Sequence, residues 1–216
     1  MGLADRYCQN IHKNIEPYYA TWLPTVPVKL GDYGKLDGKI FIRQGNITTD
    51  FGTNFTIEAD QDSGDFEYKS SGTNAVNTNA SGGGTVGIIK ALLTISFTNQ
   101  GDVYFVAANC LADMMNNVPG VVAELAPQFK AKKMKGYMIV TQVIKAATST
   151  VAISSSKGGQ LVVEASGPDV PSIDLKDPQA QVSVKSEQNI SFKVVATAGL
   201  NPLFQLAQVG RGGGLF

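Results

Sequence analysis

The run Lys135-Gly-Tyr-Met-Ile-Val-Thr-Gln-Val-Ile-Lys-Ala-Ala-Thr-Ser-Thr-Val-Ala-Ile-Ser-Ser-Ser156 constrains the fold more than any other stretch of the chain. Tyr137 to Lys145 is dense in β-branched and aromatic residues and holds neither Pro nor Gly, the composition of a strand packed on a pleated surface. Ala146–Ser149 is small and turn-prone, and Thr150–Ser154 returns to β-branched residues. The economical reading is an antiparallel hairpin. Tyr137, Ile139, Thr141 and Val143 fall on one face, and Met138, Val140, Gln142 and Ile144 on the other. Neither face is strongly polar, so the first strand expects cover on both sides.

A chain of 216 residues can bury one sizeable core or two small ones. Lys plus Arg (18) balances Asp plus Glu (18), which leaves no global field to gather DNA or RNA, so nucleic acid is not an expected partner. Two cysteines, Cys8 and Cys110, are too few for a disulfide framework and fit a reduced, cytoplasmic setting. The start Met1-Gly-Leu-Ala-Asp-Arg-Tyr-Cys8 carries charge early and lacks the apolar core of a secretory signal. No window approaches the roughly 18 uninterrupted apolar residues of a spanning helix. A membrane role therefore has to use strands, a surface helix or a lipid.

Leu3, Tyr7, Ile11, Ile15 and Tyr18 recur at helical spacing and predict an amphipathic helix within residues 3–22, closed near Pro17. Cys8 beside such a helix is a candidate acylation site, weighed against a small core residue, which is the commoner role. Gly2 lacks the Ser or Thr at position 6 that myristoylation prefers, since Arg6 stands there. Downstream, Asp37-Gly38 between two apolar runs is a hairpin turn signal. Residues 48–84 are polar; Asp60, Asp62, Asp65 and Glu67 resemble a calcium loop but miss its spacing, so a solvated turn and a mobile Asn/Ser/Gly loop are expected.

Gly87–Phe97, a turn at 98–102 and Val103–Ala108 read as a second strand–turn–strand unit. Ile89, Ala91, Leu93, Ile95 and Phe97 give it one wholly apolar face, which suits a membrane-spanning strand and equally a half-buried strand in a soluble sheet. Asn117 followed by Pro119 predicts a helix start, with Val121, Val122, Leu125, Phe129 and Met134 as its apolar stripe and Pro127 as a kink. Lys130, Lys132, Lys133 and Lys135 end that segment. They suit anionic headgroups at about 1 kcal/mol each, or a helix C-terminal dipole facing water. Gln181–Lys185 and Asn189–Ala196 alternate and predict a third hairpin, before a short apolar segment at 203–209 and a Gly-rich end.

Chemistry is sparse. His12 is the one histidine, and no zinc set, nucleophile elbow or phosphate loop accompanies it, so no enzyme activity, metal or cofactor is expected.

The run Lys135–Ala146 with its return strand, and the later Gln181-Val-Ser-Val-Lys-Ser-Glu-Gln-Asn-Ile-Ser-Phe-Lys-Val-Val-Ala196, resemble the pore-forming domain of gasdermins, as does the order of elements over residues 85–209. The resemblance implies an α+β fold: a twisted, mainly antiparallel sheet with N-terminal and mid-chain helices, like a gasdermin N-domain. It implies a soluble resting protein that moves from the cytoplasm to the membrane on activation, inserts amphipathic hairpins and closes into a homo-oligomeric pore as a cell-death or defence effector. The inserting residues would be Ile89, Leu93, Ile95 and Phe97 in segment 88–107, and Tyr137, Ile139 and Val143 in segment 137–154. Membrane lipids would meet Lys130, Lys132, Lys133 and Lys135, and Cys8 would match the acylated cysteine of microbial members. An activating protease is also implied. Nothing after residue 200 is large enough for a repressor domain, so residues 1–200 are expected to form one domain and 201–216 a tail acting as an inhibitory lid. The alternative is a soluble β-rich interaction or structural module in a fixed assembly.

Overall fold

The computed structural model describes residues 2–80, 89–167 and 172–210. In chain order the elements are α1 (Leu3–Asn14), β1 (Tyr19–Ala20), β2 (Asp32–Asp37), β3 (Ile40–Asn46), α2 (Ile47–Phe51), β4 (Ile57–Lys69), β5 (Thr73–Ala80), β6 (Ile89–Phe97), β7 (Val103–Met115), α3 (Val118–Ala131), β8 (Met138–Ser154), β9 (Gly159–Gly167), β10 (Val182–Gln188), β11 (Ile190–Thr197) and β12 (Leu200–Gln208). The fold is α+β, with twisted antiparallel sheets and three helices among the described residues. The chain divides into two interleaved units: residues 1–64, 110–145 and 200–216, and residues 65–109 and 146–199. Residue 200, the expected boundary, is where the chain returns to the first unit. Strands β4, β7 and β8 contribute residues to each unit.

In the first unit the strand order is β1-β12-β8-β2-β3. The β2–β3 hairpin turns at Gly38-Lys39, as the Asp37-Gly38 signal predicts; Asp37 faces Ile40 and Gly38 takes φ +59°, which a side chain would resist. Leu200–Gln208 is no detachable tail. It is a strand between β1 and β8, with Leu203, Phe204, Leu206 and Ala207 buried. The expected tail therefore begins inside β12, and residues 211–216 lie outside the described residues.

β8 corrects the central expectation. Met138–Ser154 is one continuous strand of 17 residues, with no turn at 146–149. Ala146, Thr148 and Ser149 are small, but none takes positive φ and no Gly, Pro or Asn punctuates them, so nothing reverses the chain. Cover on both faces is confirmed along most of the strand. Val143 packs with Met138 and Val140 while Ile139 packs with Phe129 and Val209, so the expected alternation breaks between Val140 and Val143.

In the second unit a four-stranded antiparallel sheet has the order β10-β9-β6-β5. β6 pairs β5 and β9, whereas β7 pairs β4 and β8, so the turn at 98–102 passes between sheets and does not close a hairpin. Likewise β10 pairs β9 and β11 pairs β8, across the single residue Asn189 at φ +53°, so the third predicted hairpin is also a crossing. A local turn signal states that the chain bends; which strand receives it is decided by where each apolar face finds cover. The segment expected to be a solvated turn and loop is instead β4 and β5. β5 pairs residue by residue with β6 from Thr73–Phe97 to Ala80–Lys90. The Asn/Ser/Gly tract beyond Ala80 lies outside the described residues.

The core of this unit joins Ala91, Leu93, Ile95 and Phe97 of β6 and Leu161, Val163 and Ala165 of β9 to Tyr104, Val106 and Ala108 of β7, Ala152 of β8, and Ile173 and Leu175.

Candidate functional site

Four places in the fold hold the residues singled out by sequence: the end of α3, helix α1, strand β6 of the four-stranded sheet, and β8 with Tyr137 just before it.

Helix α3 starts where Asn117 caps it; the Asn117 side chain accepts from the Gly120 N–H at 3.2 Å, and Pro119 occupies the first turn. Val121, Val122, Leu125 and Phe129 are its buried stripe, as the periodicity predicts. Phe129 sits in an aromatic cluster with Tyr33, Phe51 and Tyr137, ring centroids 4.9–5.9 Å from it. The helix then closes in a Schellman arrangement. The Met134 N–H donates to the Phe129 carbonyl at 2.8 Å and the Lys133 N–H to the Lys130 carbonyl at 3.1 Å. Lys133, at φ +57°, occupies the left-handed position where glycine is usual.

Beyond this end lies a cavity of about 680 Å³, lined by Ala126, Pro127, Phe129 and Met134 from the α3 end and Gln208, Val209 and Gly210 from the end of β12, with Lys130, Lys133, Lys135 and Gly136. The Val209 N–H donates to the Tyr137 carbonyl at 3.1 Å and holds the wall together. Three of the four predicted lysines therefore meet in one cavity, and no carboxylate among the described residues lines it. Lys132 points elsewhere, its Nζ 4.2 Å from the centroid of the Phe51 ring. Sequence spacing grouped the lysines with Ala126, Pro127, Phe129 and Met134 but gave no sign of the cavity, because the wall is completed by Gln208, Val209 and Gly210, more than seventy residues away.

Cys8 is fully buried on α1, its thiol donating to the Ala20 carbonyl at 3.8 Å. Burial and the nearby Asp5 carboxylate push the thiol up to about 12. Acylation at Cys8 thus needs α1 to lift first. His12 is packed, its Nδ1 2.9 Å from the Tyr18 carbonyl oxygen and its ring stacked on Tyr19.

Of the candidate inserting residues, Leu93, Ile95, Phe97, Ile139 and Val143 are all buried. Ile89 pairs with Gly167 across the β6–β9 ladder. Tyr137 is half-buried and donates its hydroxyl to Gln44 Oε1 at 2.7 Å. Three acidic residues of β4 meet lysines: Lys145 meets Asp60 at 2.6 Å, and also Asp113 of β7 at 2.7 Å, and Lys176 meets Asp65 at 3.3 Å and also Glu67. For Asp113 burial is the largest effect and raises the carboxyl, but the Lys145 hydrogen bond, the Asp60 backbone hydrogen bond and the Lys145 charge together outweigh it, and the net direction is down. Among the described residues no three His, Cys, Asp or Glu side chains group as metal ligands.

No family model matches the chain. No curated protein matches it. Among solved structures the chain is similar to a gasdermin A3 membrane pore determined by cryo-EM, over 100% of this chain and 95% of that one, at 10% identity and a TM-score of 0.41. A likeness of that size says nothing of activity; the class of the protein rests on its own α+β architecture and on the geometry at the α3 end and in the four-stranded sheet.

Proposed function

We propose that the protein is a latent pore former whose four-stranded sheet supplies the membrane-inserting ribbon. The observation behind this reading is the division of that sheet by face. On its two central strands Ala91, Leu93, Ile95, Phe97, Leu161, Val163 and Ala165 make one continuous apolar face. The opposite face carries Lys90, Thr94, Ser96, Gln160, Glu164 and Ser166, with Leu92 and Val162 between them. Glu164 there lies 3.6 Å from Lys90 and 3.4 Å from Lys185.

β6 and β9 are each 9 residues long, about the length a tilted strand needs to cross hydrocarbon. Such alternation offers one face to lipid and one to water. The ribbon consists of two hairpins in sequence, β5/β6 and β9/β10, with β6 against β9. β5 and β10 end its order, and a further copy pairing there would let the sheet close, as lipid demands of strands. No described helix is long and apolar enough to cross a membrane, which leaves crossing to strands. β8 is excluded from the inserting set because it has no polar face to give a lumen. In this reading anionic lipid first meets the lysines at the α3 end. The ribbon then gives up its cover by Tyr104, Val106, Ala108 and Ala152. The chain passes from a soluble to a membrane-bound oligomeric state without catalysing a reaction.

One observation favours a second reading, a soluble β-rich module in a fixed assembly: the apolar face is already fully covered. Dye release from phosphatidylglycerol-containing vesicles separates the two, with the intact chain and a form ended after Gly210. Release that scales with protein and shows oligomers on the vesicles supports the pore. Silence from both forms, together with a constant oligomer in lipid-free buffer, transfers the conclusion to the second reading.

A further inference from the structure

We infer that the cavity at the end of α3 is a binding site for a single-chain anionic amphiphile, a molecule with one acyl or alkyl chain and a carboxylate or phosphate head, taken up one at a time. Such a site stands whether or not the protein forms pores.

The volume, about 680 Å³, lies in the range of small-molecule sites. Its chemistry is divided between two kinds of group. Phe129, Met134, Val209, Ala126 and Pro127 provide an apolar wall, and Lys130, Lys133 and Lys135 provide three ammonium groups. Among the described residues none of these three lysines has a carboxylate within ion-pair distance, and none lies over an aromatic ring as Lys35, Lys39, Lys69 and Lys132 do. Three unmatched cations around an apolar recess call for a ligand that brings both an anion and a hydrocarbon chain. A free inorganic anion would use the lysines and leave the wall wet. A neutral hydrocarbon would use the wall and leave the cations unmatched.

A second feature points the same way. Lys133 holds a left-handed backbone at a position where glycine would fit without strain. Its side chain reaches the cavity from that position. Lys132, its neighbour, has an ordinary backbone, φ −83°, and spends its charge on Phe51.

The test is isothermal titration of the intact protein with dodecyl phosphate below its micellar concentration, beside inorganic phosphate, dodecanol and vesicles of phosphatidylglycerol. Saturable one-to-one binding of dodecyl phosphate is expected, with phosphate and dodecanol each at least roughly tenfold weaker. Lys130→Gln with Lys133→Gln should weaken dodecyl phosphate roughly tenfold or more. Lys132→Gln and Lys157→Gln should keep the wild-type affinity, and far-ultraviolet circular dichroism of every variant should match the parent. Three outcomes overturn the inference. Inorganic phosphate binding as tightly as dodecyl phosphate would mean a simple anion patch. Loss with Lys132→Gln equal to that with Lys133→Gln would mean a diffuse basic surface. Binding to vesicles without binding to monomeric dodecyl phosphate would mean recognition of a bilayer.

Discussion

Replacing Lys133 with glycine should make the protein more stable while weakening its hold on an anionic amphiphile. Lys133 is the residue just past the C-cap of α3, at φ +57°. The Schellman bonds that fix it there, from Met134 to Phe129 at 2.8 Å and from Lys133 to Lys130 at 3.1 Å, are backbone bonds and survive substitution. A residue with a Cβ costs about 1–2 kcal/mol in the left-handed region. Glycine removes that cost but surrenders about 0.5–1 kcal/mol through its freer unfolded chain. The difference is a gain of about 0.5–1 kcal/mol. Loss of a cation at a helix C-terminus subtracts about 0.3 kcal/mol at a solvent-exposed position. Lys133→Gln isolates that charge term, since Gln keeps the strain and drops the ammonium. Urea unfolding followed by the fluorescence of Trp22, the one tryptophan, gives both differences. Lys133→Gly should exceed Lys133→Gln by about 0.5–1 kcal/mol, or about 1–4 °C in Tm for a chain this long. Dodecyl phosphate affinity should fall in both. If Lys133→Gly were no more stable than Lys133→Gln, the reasoning from strain would be wrong. An unchanged affinity in both would remove Lys133 from the site.

Other expectations concern the buried groups. The Thr148 and Ser149 hydroxyls are buried with no hydrogen-bond partner among the described residues, so Thr148→Val should raise stability by about 1 kcal/mol in urea unfolding, whereas a turn at this place would leave it unchanged. Asp32 is buried and accepts from the Lys29 N–H at 3.0 Å and Asn46 Nδ2 at 3.0 Å, with Arg43 at 2.9 Å; Asp32→Ala strands these donors and should cost about 2–3 kcal/mol by thermal or urea denaturation. The Cys8 thiol keeps its proton to about 12 when folded and releases it near 9 when unfolded. Between those values the unfolded chain binds fewer protons, so this group's contribution to stability is intact below about pH 9 and falls with rising pH by up to about 1.4 kcal/mol per pH unit. Tyr7 and Tyr104, both raised by burial, steepen the alkaline loss. Labelling of Cys8 by a disulfide reagent at pH 8 should be slow in the native protein and immediate in urea.

How much of the fold was legible in the chain depends on the range of the signal. Local signals survived: the Tyr7 and Ile11 stripe made α1, Asn117 and Pro119 started α3, and Asp37-Gly38 turned the first hairpin. Each is settled within a few residues by backbone preference and side-chain capping, so the amino-acid order alone determines it. Partner choice did not survive. The pairings expected at 98–102 and at Asn189 were crossings between sheets, and the small residues at 146–149 ran straight through the middle of β8. A strand's alternation records that one face must be covered without saying by what, and only the assembled core decides whether Leu93 meets β7 or Leu203 lies between β1 and β8. The cavity belongs to that second class. Its lysines and the apolar residues of α3 could be counted in the chain, but the wall is completed only because β12 ends beside the last turn of α3.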